Sequence, residues 1–366
     1  MTQRRVRAVY MRGGTSRCLV FHAADLPAPG AERDRILLEA LGSPDPYGRQ
    51  LDGLGGGISS LSKACIIGPP SRPDADVDYT FAQVEVKTPR VDYTGNCGNC
   101  SSSVGPFAID EGIVAAIEGE TVVRVHNTNT NKIIVAHVPV AGGEAAVDGD
   151  FELPGVAGRG ARIALDFVDP GGARTGRLLP TGRPLDAIDG LAASLVDATN
   201  PMVFVRAKDL GLAGTEAPQA IDDDRALSSR LEEVRVAAAQ MMGIPGSAAT
   251  PKIAIVTAPT GFTALDGVAY THDQIDVVAR VISMGNCHRA FALTSAMCLA
   301  VAARIEGTVL RECSTAADDA DVRLGHPSGM LPLDARVVMR DGTHHAERVT
   351  VYRTARRLME GFVRAR

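Results

Sequence analysis

A cysteine stands between two Gly–Asn pairs at Gly95-Asn96-Cys97-Gly98-Asn99-Cys100-Ser101. The serines that follow suit a helix N-terminus, and SVGPFAIDEGIV can form the helix. Proline is tolerated only near a first helical turn, so Pro106 limits how early that helix begins. Amide N–H groups at such a start point toward an anion and favour a carboxylate. The same field lowers a thiol pKa, so Cys97 can exchange a proton or hold an acidic substrate. Cys97-x-x-Cys100 also admits a redox pair or half a zinc site. No aromatic or proline separates the two cysteines, however, and no second C-x-x-C or paired-histidine motif exists. Cys100 reads as an ordinary buried thiol.

A second segment, DGLGGGISSLSK (52–63), ends in Lys63 and runs into the apolar strand ACIIG. It fits neither a P-loop nor the dinucleotide glycine pattern. A lysine at the edge of a buried strand is partly desolvated, which lowers its pKa and frees an amine base. The alternative is a lysine that snorkels to solvent. Three further segments put hydroxyls, a cation or a histidine beside glycines: MRGGTSR (11–17), MGNCH (284–288) and GHPSG (325–329). Each suits close carboxylate binding, and each could also be a plain turn. His22, His126, His137 and His272 lack metal-site spacing. His344-His345 reads as a solvated turn, and Asp222-Asp223-Asp224 as a helix start.

The positioning elements are mixed. Residues 4–10 and 18–22 read as strands, 32–41 as a helix, and 79–89 as an alternating, half-buried strand. Residues 121–126 and 132–138 read as strands joined by the polar turn HNTNTNK. Residues 201–207 and 252–258 are strand-like, Asp223–Met242 is the strongest helix, and His288–Ile305 is a second, buried one. PTGRPLD (180–186) is the expected junction between a domain over 1–182 and another over 183–366, whose last segment could pack back on the first domain. No repeat with a 20–50 residue period is visible. The pattern is α+β.

Composition narrows the function classes. The chain has 366 residues, a net charge of −5, 4% aromatics and no Trp, which argues against a basic, stacking nucleic-acid surface. Seven scattered cysteines are no disulfide framework and point to a reducing cytoplasm. Neither a secretory leader nor a membrane span is expected.

Taken in order, M-R-G-G-T-S, D-G-L-G-G…S-S-x-S-K, G-N-C-G-N…V-G-P-F-A-I, L-P-T-G, M-G-x-x-H and H-P-S-G resemble the PrpF family over roughly residues 5–365. The family includes methylaconitate isomerases, methylitaconate Δ-isomerases and 4-oxalomesaconate tautomerases. The resemblance implies a diaminopimelate-epimerase-like fold: two similar domains, each a sheet wrapped around a central helix, with the active site in the cleft between them. It implies proton transfer in an unsaturated di- or tricarboxylate, with no cofactor or metal. The family's catalytic lysine and cysteine fall on Lys63 and Cys97. Substrate-binding positions fall on Thr15, Ser16, Arg17, Ser60, Asn96, Gly98, Asn99 and Ser101, and on Gly285, His288 and Ser328. A homodimer is implied by resemblance alone. Arg17, Cys18, Cys100 and Asn286-Cys287 depart from common family residues, so the substrate is not transferable. Rival readings are an amino-acid epimerase using Cys287 or Cys298 as a second thiol, a non-catalytic carboxylate-binding accessory protein, and a redox thiol protein.

Overall fold

The computed structural model describes residues 3–247 and 250–366. The chain divides into two compact units, residues 1–167 with 352–366, and residues 168–351. This division falls earlier than the 182/183 junction read from the sequence. PTGRPLD lies inside the second unit, where Thr181 and Arg183 both bind the buried carboxylate of Asp186.

In the first unit, β1 (Arg4–Gly13) and β2 (Ser16–His22) form a hairpin. The helix α1 (Ala31–Leu41) follows, and Gly42 closes it in the left-handed conformation at φ 76°. Next come β3 (Lys63–Gly68), parallel to β2, and β4 (Val77–Val84), antiparallel to β3. The strand read over 79–89 therefore stops at Val84. After the helix α2 (Gly98–Asp110), β5 (Gly119–Asn127) lies parallel to β4, and β6 (Lys132–Ala141) returns antiparallel. The C-terminal strand Ala355–Ala365 closes this unit by pairing antiparallel with β1.

The sheet wraps α2, and every residue from Cys100 to Ile109 is buried. The side chains explain how a helix fits there. Ser101, Ser102 and Ser103 are small, and each donates its hydroxyl back to a carbonyl of the preceding turn. At Gly105 an added Cβ would lie 2.7 Å from Val138 and 3.2 Å from Ala136, both on β6. The helix starts earlier than Pro106 appeared to permit, with the proline in its interior. A mid-helix proline costs roughly 3 kcal/mol. Burial of the apolar side chains of Val104, Phe107 and Ile109, at roughly 1.5–3 kcal/mol each, outweighs it.

The second unit repeats this wiring. Strand β7 (Leu191–Ala198) pairs antiparallel with β8 (Asn200–Arg206). Helix α3 (Arg225–Met241) leads to β9 (Lys252–Thr257), parallel to β8, and then β10 (Val277–Ser283), antiparallel to β9. A buried helix, α4 (Leu293–Ala302), precedes β11 (Val322–His326), parallel to β10, and β12 (Gly329–Arg340), antiparallel to β11. Order, sense and helix positions match the first unit, so each unit is a sheet around a central helix. This repeat is half the chain long, beyond any short sequence period.

Two helices start later than their sequence readings. The helix read over Asp223–Met242 runs from Arg225 to Met241, because Asp224 caps it through the Leu227 N–H and Asp223 ends the short helix Pro218–Asp223 before it. The helix read from His288 begins only at Leu293. Asn286-Cys287 pairs with β10 through a turn at Met284 and Gly285, both at positive φ. Among the described residues no helix is long and apolar enough to cross a membrane.

Because Gly105 packs against β6 without room for a methyl group, Gly105→Ala should destabilise the protein by about 1–3 kcal/mol. A urea midpoint equal to that of the parent chain would show that helix and sheet are less closely packed.

Candidate active site

The N-terminus of α2 organises the site of the first unit. Cys97 is the N-cap residue, and its sulfur accepts the Cys100 N–H at 3.4 Å. Cys97 is half-buried, whereas Cys100 below it is fully buried. Hydrogen bonding from the Cys100 thiol, the charge of Lys63 and the amides of Cys100 and Asn99 outweigh burial and hold the Cys97 thiol at about 6. Burial pushes Cys100 well above the ordinary thiol range, so it keeps the proton that it shares with Cys97. It is a buried thiol, as read from sequence, but one that stabilises its neighbour's thiolate.

The residues flanking Cys97 are held by short polar contacts. Asn96 Oδ1 accepts from Asn127 Nδ2 at 3.0 Å and from Ser101 Oγ at 3.4 Å. Asn99 Nδ2 donates to Thr15 Oγ1 at 3.0 Å. The Gly13-Gly14 turn makes this approach sterically possible. A Cβ on Gly13 would lie 2.6 Å from the Asn99 carbonyl oxygen, and one on Gly14, at φ 53°, only 2.3 Å from Asn99 Oδ1. Thr15 at the turn is exposed, Ser16 is buried, and Gly98 is the first residue of α2. Hydrogen bonds thus link Thr15 to Asn99 and Ser101 to Asn96 on either side of Cys97.

Lys63 opens β3 and is 8% exposed, so it does not snorkel. Its Nζ donates to Gln83 Oε1 at 2.6 Å and lies 5.0 Å from the centre of the Phe81 ring. Gln83 is its register partner on β4, and Gln83 Nε2 donates to the carbonyls of Ser59 and Ser62. The amide therefore ties the lysine to the loop before it. Gln50 secures that loop further, donating to Ser43 and Ser62 and accepting the Gly57 N–H. Ser60 is half-buried in the single 3₁₀ turn Ser59–Leu61 that leads into Lys63. Arg17 lies over the Tyr10 ring at 5.5 Å, and a Cβ on Gly56 would stand 3.0 Å from its guanidinium.

Three contributors escaped the sequence reading. Arg353 is buried, its Nε donates to Asn99 Oδ1 at 3.1 Å, and burial lowers its pKa to about 10 against the opposing pull of Cys97. It lies 256 positions after Cys97 and no local motif marks it. Gln83 sits on a clean alternating strand, but only the register places it opposite Lys63. Asn127 belongs to the HNTNTNK turn, where hairpin chemistry accounts for its type but not for its bond to Asn96.

The expected residues of the second unit form a group of their own. Gly285 occupies the hairpin turn at φ 81°. His288 Nδ1 accepts the Ala290 N–H at 3.0 Å, and burial lowers its pKa. Ser328 donates to the Arg289 carbonyl at 2.5 Å. His326, unremarked in sequence beyond its motif, accepts the Ser328 N–H, and burial with Arg280 and His288 nearby lowers it to about 4. Both imidazoles are thus neutral near pH 7. The position equivalent to Cys97, at the start of α4, is Ala292, which offers no side-chain cap. Cys287 is pushed up to about 11 by burial, and Cys298 is pushed up further. Neither Cys287 nor Cys298 is therefore the activated second thiol that a two-thiol epimerase needs.

The PrpF protein family model matches residues 3–366. A 3-methylitaconate isomerase from Eubacterium barkeri is 43% identical, covering 99% of this chain and 97% of its own. A 2-methyl-aconitate isomerase from Shewanella oneidensis is 38% identical, and a 4-oxalomesaconate tautomerase from Pseudomonas putida 39%, each covering 99% of this chain and 97% of its own. A solved methylitaconate-delta-isomerase superposes with a TM-score of 0.94 at 42% identity, over 100% of this chain and 96% of that one. A hydroxyproline epimerase from Agrobacterium vitis, 13% identical, matches at 0.51 over 99% and 93%, which shows a shared fold with the epimerases and nothing more. The chain therefore belongs to the PrpF family and is an isomerase.

Proposed function

We propose that this isomerase moves a proton between carbons of an unsaturated di- or tricarboxylate, with Lys63 and Cys97 as its exchanging groups. The observation that carries this reading is a half-buried thiol held at about 6 at the N-terminus of a buried helix, within the field of a buried lysine. The relatives act, by name, on methylitaconate, 2-methylaconitate and 4-oxalomesaconate. All three carry a carbon acid conjugated to carboxylate.

A thiol at about 6 is mostly thiolate at neutral pH, so Cys97 begins without a proton. As substrate binds, a proton passes from the Lys63 ammonium to Cys97, giving one amine base and one thiol acid. Lys63 then removes a proton from the carbon conjugated through C=C to a carboxylate, and the electron pair spreads as a dienolate. The amides at the start of α2, the hydroxyls of Thr15 and Ser16 and the Asn99–Arg353 pair oppose that charge. Cys97 returns a proton to the far carbon for a 1,3-allylic shift, or to the same carbon after rotation for cis–trans isomerisation. All seven cysteines are unpaired, which supports a reducing cytoplasmic setting.

Proton NMR in D₂O with methylaconitate, methylitaconate, 4-oxalomesaconate and aconitate tests the substrate class; absence of exchange in all four removes the reading. Lys63→Ala should abolish solvent deuterium incorporation, a loss of about 10²–10⁴ or more in kcat, with the circular dichroism spectrum intact. Persistent exchange would remove Lys63 as the base.

The pH dependence has a defined sign. Below about pH 6 Cys97 is protonated in the free enzyme, and no group remains to take the lysine proton. The value of kcat/KM should fall with unit slope as pH drops through about 6, and Cys97→Ser should erase that limb. An unchanged limb in Cys97→Ser would assign it to another group.

A further inference from the structure

Beneath Cys97 lies a cluster of which the proposed reaction uses only Cys100, as a hydrogen-bond donor to the Cys97 sulfur. Cys18 on β2, Cys65 on β3 and Cys100 in the first turn of α2 are each fully buried. Their three sulfurs all lie within 4.8 Å of one another. A single point therefore exists within about 2.8 Å of all three, against about 2.3 Å for a zinc–thiolate bond. Small side-chain rotations close that difference. Ser103 Oγ stands 3.6 Å from Cys18 Sγ, and the Tyr79 hydroxyl 4.0 Å from Cys65 Sγ. The Tyr79 hydroxyl can donate to a bound Cys65 thiolate as an outer partner, whereas the Ser103 proton is already given to the Cys100 carbonyl.

We propose that Cys18, Cys65 and Cys100 form a binding site for a soft divalent d¹⁰ cation of the zinc and cadmium class. Thiolate sulfur selects such ions over magnesium and calcium. Binding exchanges the S–H protons of the cluster, released to solvent, for three metal–sulfur bonds, with no change in oxidation state. The resulting trithiolate carries one net negative charge. The positive end of α2 and the charge of Lys63, which already acts on Cys18, both favour that charge. A monovalent cation would leave two negative charges in the same buried space, so a divalent ion fits better. Entry runs past Cys97, whose half-buried thiol is hydrogen-bonded to Cys100 and can pass an ion inward by ligand exchange.

The test uses the reduced full chain and cadmium ion alone, with no substrate, so it stands apart from the isomerase reading. Titration should saturate at one cadmium per chain, give a thiolate-to-cadmium charge-transfer band and release protons. X-ray absorption of the loaded wild-type protein should show three sulfur ligands. Loss of an outer partner costs a metal site about 10–100-fold in affinity, so Cys65→Ser and Cys100→Ser should each exceed that. Cys97→Ser should keep binding within a few-fold. A band lost in Cys97→Ser but kept in Cys65→Ser, or only one or two sulfurs by absorption, would overturn the site. The absorption count needs no variant and decides the matter if the core substitutions fail to fold.

Discussion

Helix α2 has no solvent-facing side along its buried length, and from that enclosure the rest of the first unit follows. A helix leaves four N–H groups unsatisfied at its start, and inside a protein each needs a partner. Here the start emerges under the Gly13-Gly14 turn, close enough that neither glycine could carry a side chain without displacing Asn99. One of those N–H groups is met by sulfur: Cys97 Sγ accepts from Cys100. The sulfur is thus both the cap of the fold and the atom proposed to react. Folding and activation are one interaction.

Charge at the site is balanced with few groups. Lys63 and Arg353 are both buried cations in the first unit, and both raise the tendency of Cys97 to ionise or are themselves favoured by it. Gln83 and Asn99 hold them by neutral amide oxygens rather than by carboxylates. A carboxylate partner would have fixed each cation in a closed ion pair. An amide fixes its position and leaves its charge available to an anionic ligand.

Much of this was legible in the sequence, and the limits of legibility have physical causes. The glycine-flanked Cys97, the lysine at a strand edge and the Thr-Ser turn are local signals, since each is set by residues adjacent in the chain. So are α1, the strands β3, β5 and β6, and the hairpin turn between β5 and β6. Gln83, Asn127 and Arg353 join the site only through strand register and chain return, which no short window contains. Pro106 misled because intrinsic propensity was weighed without the enclosure that overrides it. The helix read from His288 began late because its apolar character, uniform around the helix, reports burial but carries no start signal. The first turn was instead claimed by the Asn286-Cys287 pairing and by the Asp222–Arg289 ion pair.

The two units share one wiring diagram yet differ at the start of the central helix, cysteine in one and alanine in the other. That asymmetry bears on stereochemistry. Inverting a tetrahedral centre calls for proton donors on opposite faces of the carbon. A flat, conjugated polyacid needs only one face worked upon, since its charge travels through the π system rather than through the carbon. The duplicated motif repeats the lysine at the matching strand start, Lys63 on β3 and Lys252 on β9, but carries the thiol cap on one copy alone, so the asymmetry lies in the thiol and not in the amine.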